Sequence, residues 1–282
     1  MSTPIMLLVL FSALLHASWN AVIKSGRDKL VDVALVTGSA ALIAALALPF
    51  LMLPASQSWP YIAASALIHI FYFLLIGAAY RSGDMSHAYP LMRGTAPLLI
   101  ALASAPLVGE QLAPGEWGGV LLICGGIFGM LLARSVTGHS HGRSSRFALM
   151  NAVVIAAYTV LDGVGVRISG QPVSYTLWMF MLQAIPIVAW TATYKRIELV
   201  AGFRTRWPHA LIGGACSMGA YALILLAMEH APIALVAALR ETAILFGLAI
   251  SALFLKERLG VRRLVPAVVI LLGVAMLKLS ST

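Results

Sequence analysis

Four ionisable side chains, Arg93, Asp162, Arg240 and Glu241, stand inside long stretches of chain that are otherwise apolar. On insertion scales a charge at the centre of a hydrocarbon layer costs about 2.5–3.5 kcal/mol, so such residues face a partner, a cavity or a ligand. A guanidinium is a planar fork of donors that grips a carboxylate or phosphonate through two hydrogen bonds at once. A carboxylate in the same surroundings can neutralise a guanidinium or carry a proton. Two arginines and two acids therefore define a candidate site for an anion or a zwitterion. The alternative is that all four are structural.

The surroundings decide what kind of scaffold holds them. Of 282 residues, 61% are hydrophobic and 10% charged, and the mean hydropathy is +0.94. Soluble domains carry about 25% charged residues. The net charge of +9 does not point to nucleic acid, because the cations sit in short gaps between apolar runs and form no basic domain. Cys124 and Cys216 lie within apolar runs without metal-ligand spacing and read as small core residues.

A bilayer core of about 30 Å takes about 20 apolar residues in a helix. Runs of that kind fall near 5–22, 33–53, 60–80, 87–107, 117–133, 147–166, 174–193, 208–228, 232–254 and 263–279. The expected fold class is therefore all-α integral membrane, with ten spans. Pro60, Pro208 and Pro232 stand where helices are expected to start. Trp59, Trp117, Trp178, Trp190 and Trp207 lie near span ends, as an interfacial belt requires. The odd-numbered loops hold fifteen lysines and arginines and the even loops and termini hold two. The positive-inside rule then puts both termini outside a cell inner (plasma) membrane.

The two halves resemble each other. A shift of 147 carries Arg93 onto Arg240, Thr95 onto Thr242, Glu110 onto Glu257, Leu112 onto Leu259 and Gly126 onto Gly273. A shift of 139 carries Trp19 onto Tyr158. The implied units are 1–134 and 147–282, joined by a cytoplasmic linker at 135–146. Five spans each is an odd number, so the second unit must insert upside down. Inverted repeats are characteristic of secondary transporters, whose substrates bind near the midplane between the repeats.

On this topology Arg240 shares its depth with Asp162 and its neighbour Glu241, which makes an ion pair available to it. Arg93 falls in the other half of the layer with no acid at its own level, which leaves it free for an anionic substrate group. His16, Trp19 and Asn20 share that level. Trp19, Tyr158, Tyr72, Tyr89 and Tyr221 offer aromatic surface, and His16 serves as a hydrogen-bonded spacer or, alternatively, a proton carrier. Pro90 and Pro97 bracket Arg93-Gly94-Thr95, which predicts an interrupted fourth helix at the site. The ninth has no matching proline. Gly125 and Gly129 form a GxxxG pair, and Gly213, Gly214 and Gly219 stud the eighth span; both read as close helix packing rather than a dimer face.

Several motifs run in a fixed order. They are His16-Ala17-Ser18-Trp19-Asn20-Ala21, Gly83-Asp84-Met85-Ser86-His87-Ala88-Tyr89-Pro90-Leu91, Gly109-Glu110-Gln111-Leu112 and Lys256-Glu257-Arg258-Leu259. In these the chain resembles the EamA family of the drug/metabolite transporter superfamily, over nearly its whole length. The resemblance implies a ten-helix exporter or exchanger of small metabolites, often amino acids or related compounds. The superfamily's small multidrug branch uses a first-helix glutamate for protons and cationic drugs. This first helix has no carboxylate, which argues against a cationic-drug substrate.

The expected function is a secondary transporter of a small polar, anionic or zwitterionic metabolite such as an amino acid or phosphonate. The candidate substrate-binding residues are Arg93, His16, Trp19, Asn20, Tyr89, Tyr158 and Arg240. Asp162 and Glu241 are candidates for ion pairing or coupling. Glu110 and Glu257, at span ends, read as structural. A flippase for a lipid-linked sugar is the alternative. An enzyme is not expected, since HExxH, GxSxG and a phosphate-cradling Gly-Lys loop are all absent. No cofactor or metal is implied. The expected partners are the small-molecule substrate and the lipid bilayer, with the chain a monomer or a homodimer.

Overall fold

Backbone that crosses hydrocarbon must satisfy its own N–H and C=O groups, and a helix does so within one segment. The computed structural model describes every residue except 25, 27, 133–141, 255–260 and 281–282. Lys256-Glu257-Arg258-Leu259 and most of the 135–146 linker thus lie outside the described residues. Among the described residues there is no strand. The helices are α1 (Thr3–Lys24), α2 (Lys29–Ala47), α3 (Trp59–Arg81), α4 (Met85–Val108), α5 (Pro114–Leu132), α6 (Gly142–Ser169), α7 (Pro172–Tyr194), α8 (Arg196–His230), α9 (Ile233–Arg240), α10 (Ala243–Phe254) and α11 (Val261–Ser280). Nine described segments are long and apolar enough to cross a membrane, α9 and part of α10 together forming one of them. Leu264–Ser280, within α11, is a shorter apolar tenth. The expected spans are all present. Leu7, Leu42, Leu67, Phe71, Leu102 and Leu271 are exposed on their outer faces, as side chains solvated by lipid must be.

The prolines act differently from expectation. Pro60 stands in the first turn of α3 and Pro232 caps α9, but Pro208 lies well inside α8, which starts at Arg196. Pro90, Pro97 and Pro106 are all accommodated within a continuous α4. The interrupted span is the ninth, which has no proline at its break. There the Glu241 and Thr242 N–H groups bond three residues back, to the Ala238 and Leu239 carbonyls, each at 3.1 Å. The Thr242 hydroxyl also donates to the Leu239 carbonyl, at 2.8 Å. Tight i→i+3 turns and threonine back-bonding both bend a helix away from the α pattern.

The halves pack as a two-fold would require. α1 lies on α8 as α6 lies on α3, while α5 meets α11 and α2 meets α7. Gly126 and Gly273, the pair related by the shift of 147, both sit in the α5–α11 seam. A Cβ on Gly126 would fall 2.9 Å from the Pro266 carbonyl oxygen, and one on Gly273 would fall 2.9 Å from the Gly119 carbonyl oxygen. The GxxxG expectation is corrected in register, because Gly125 faces open space while Gly119 and Gly126 carry the close approach. Gly213 and Gly214 bring α8 against α2, where Val36 and the Ala40 backbone N leave no room for a side chain.

Candidate functional site

Glu241 lies at the break between α9 and α10, and its carboxylate is turned to α4. Its Oε2 is 2.8 Å from Arg93 Nε, an ion-pair contact not aligned as a hydrogen bond. Both side chains are buried. Arg93 Nη2 is also buried and makes no hydrogen bond among the described residues. The Tyr89 ring, one turn back on α4, lies 6.0 Å from the guanidinium carbon. Pro97 cannot donate to the Arg93 carbonyl four residues earlier, so α4 offers an acceptor beside this site as well.

This corrects the expected pairing. Arg93 is the arginine that holds a carboxylate, and Arg240 is the one that does not. Among the described residues no carboxylate lies within ion-pair distance of Arg240, whose guanidinium carbon stands 5.6 Å from the centre of the Tyr221 ring. Nor is Asp162 its ion-pair partner. The Asp162 carboxylate accepts hydrogen bonds from Ser65 Oγ at 2.9 Å, Tyr175 Oη at 3.0 Å and Tyr221 Oη at 2.6 Å, hydroxyls carried by three other helices.

Arg93 and Arg240 both lie within electrostatic reach of His16 and of Glu241. His16 Nδ1 accepts the Trp19 indole N–H at 3.2 Å, and Asn20 Nδ2 donates to the His16 carbonyl at 2.8 Å. The α1 trio is thus linked by hydrogen bonds within its own helix. Tyr158 stacks on His69 at 4.3 Å and meets Tyr72 edge-on at 6.0 Å. Ser65, His69 and Tyr175 were not anticipated. A serine and a histidine one turn apart in the apolar third span are the signal that could have found two of them.

At the other end of α9, Glu110 accepts the Ile233 N–H at 2.9 Å and pairs with Arg167 at 2.6 Å. Arg167 in turn donates to the Met228 and Ala231 carbonyls at the end of α8, at 2.8 and 2.9 Å. Glu110 therefore has the structural role expected of it: it caps a buried helix start.

Ten apolar spans in two five-helix halves, closed over a polar centre, define a multi-pass membrane protein of two inverted repeats. The EamA-like transporter family matches the chain twice, over residues 3–132 and 145–279, and the protein belongs to that family. It is a family of transporters within the drug/metabolite transporter superfamily, not one of enzymes. No curated protein matches the sequence. A solved structure described only as the crystal structure of a protein is similar in fold, with a TM-score of 0.79 and 19% identity. The match covers 99% of this chain and 98% of that one.

Proposed function

We propose that the protein is a secondary transporter, an exporter or exchanger, of a small anionic or zwitterionic metabolite such as an amino acid or phosphonate. The observation that carries this reading is the charge at the α9–α10 break. Two buried guanidiniums lie near one carboxylate there, only Arg93 is in ion-pair contact with it, and Arg93 Nη2 has no acceptor among the described residues. Buried donors without partners cost about 1–3 kcal/mol each, and more when charged. An anionic group placed between Arg93 and Arg240 meets that need, and the ammonium of a zwitterion would face Glu241. Tyr89 and Tyr221 supply flat surface on either side. Alternating access then amounts to the two repeats rocking about this centre.

The test is a screen of L-amino acids and aminophosphonates for thermal stabilisation of the purified protein, since a ligand that prefers the native state raises the melting temperature. Positive compounds go into proteoliposome flux with Arg93→Lys and Arg240→Lys. Both variants keep the charge and lose the fork, so transport falls at least tenfold. Wild-type rates in both would refute the reading.

A further inference from the structure

Asp162 is fully buried in α6, in the membrane interior, and among the described residues no cation pairs with it. Three hydroxyls occupy it instead, Ser65 from α3, Tyr175 from α7 and Tyr221 from α8. The groups facing it are few. His69, also on α3, approaches the Ser65 hydroxyl at 3.4 Å through Nδ1, which bonds the Ser65 carbonyl at 2.8 Å. Tyr158, one turn back on α6, stacks on His69. From α9, Arg240 acts on Asp162 through space, with the Tyr221 ring beneath its guanidinium.

We propose that Asp162 is a proton-binding site and that the proton it takes is the coupling ion of this carrier. The inference rests on the transport reading above. A carboxylate that accepts three O–H bonds has no donor of its own. Adding a proton to one oxygen turns it into a donor, and at least one of the three hydroxyls must then rotate away or accept. Asp162 ties α6 to three other helices, so its protonation changes how they are joined. The Tyr221 hydroxyl makes the shortest of the bonds, and its ring carries Arg240, the neighbour of Glu241. One side chain therefore connects the proton site to the two guanidiniums.

Packing selects the proton over a metal cation. A Cβ on Gly165 would lie 2.5 Å from the Tyr175 hydroxyl and 2.7 Å from Tyr61, so the wall of the cradle that carries Tyr175 is closely packed. A proton needs no added space.

Infrared difference spectra of the purified protein, between mildly alkaline and mildly acidic buffer, read the site without any substrate. The expected result is a protonated-carboxyl band that is lost in Asp162→Asn and kept in Glu241→Gln. In Tyr221→Phe, which keeps the carboxylate but removes a donor to its charged form, the midpoint moves to higher pH. A band kept in Asp162→Asn, or an unmoved midpoint in Tyr221→Phe, overturns the site. Coupling is read in proteoliposomes with an entrapped pH indicator, challenged with the same L-amino acids and aminophosphonates. Wild type moves protons with a transported compound, whereas Asp162→Asn exchanges that compound without proton movement. Proton movement in Asp162→Asn would overturn the coupling. If no compound moves in any variant while the band behaves as stated, the transport reading fails and the proton site stands.

Discussion

Arg93 of α4 and Glu241 of the α9–α10 break form an ion pair between the two repeats, and this pair has no mirror image. The shift of 147 that relates Arg93 to Arg240 and Thr95 to Thr242 sends Glu241 to Gly94. A Cβ on Gly94 would sit 3.0 Å from the Phe128 ring, so the packing there disfavours even a methyl group, let alone a carboxylate that could serve Arg240. The asymmetry is what leaves one guanidinium available. Breaking a buried pair by removing one partner costs about 3–5 kcal/mol, because the other charge is stranded. Glu241→Gln and Arg93→Met are each expected to lower unfolding stability on that scale in detergent. The double variant should cost clearly less than the two together. Strict additivity would show that the two side chains do not interact.

Arg240 should behave differently. It strands no carboxylate when removed, so Arg240→Met is expected to be milder in stability than Arg93→Met. On the proposed transport reading it acts in binding: affinity for a compound that stabilises the wild type should fall at least tenfold, or about 1.4 kcal/mol. Isothermal titration on both variants checks this. Unchanged affinity in Arg240→Met would remove Arg240 from the site.

The α5–α11 seam separates neighbouring glycines. Gly126→Ala and Gly273→Ala each force a methyl group into the opposite helix backbone, and overpacking of this kind costs about 1–3 kcal/mol. Gly125→Ala, one residue away and facing open space, should change stability little. Denaturant unfolding of the three variants decides it, and equal loss at Gly125 and Gly126 would contradict the packing.

Asp28, between α1 and α2, caps α2 by accepting the Leu30 and Val31 N–H groups, and it pairs with Lys195 at the end of α7. The Lys195 ammonium, together with these backbone bonds, holds the Asp28 carboxyl below its usual range. A depressed value in the folded state means that the stabilisation is complete above the ordinary carboxyl value of about 3.9 and disappears as pH falls through the folded one. Asp28→Ala is expected to lose about 1 kcal/mol at neutral pH, the scale of an N-cap. The difference from wild type should close in acid. Melting curves across pH measure it, and a gap that persisted in strong acid would exclude the carboxylate as its source.

The ten spans were legible because hydrocarbon demands a long apolar run for each crossing, and Arg93, Glu241 and Asp162 stood out because charge is so costly there. The pairing was not legible. Position along a span was read as depth, which set Arg93 and Glu241 in opposite halves of the layer. Each lies eight residues from its helix start, Met85 or Ile233, and so about 12 Å along the axis. The two spans run in opposite senses, so both residues arrive near the middle of a layer about 30 Å thick. The break was misplaced for a related reason. Prolines announce themselves in sequence, but α4 absorbs three of them, whereas the turn at Glu241-Thr242 is made by ordinary backbone and one hydroxyl. Tyr175 escaped notice because only the fold brings it to Asp162.

Glu110 follows α4 and grips the start of α9, and Arg93 within α4 grips the residue that follows the end of α9. The eight residues between them, Ile233 to Arg240, are all buried. Glu110 also holds Arg167 of α6, so the first half grips the second at both ends of this segment. A short length of chain encoded with one half is thus clamped by the other, and no motion can part the two without breaking a charged contact.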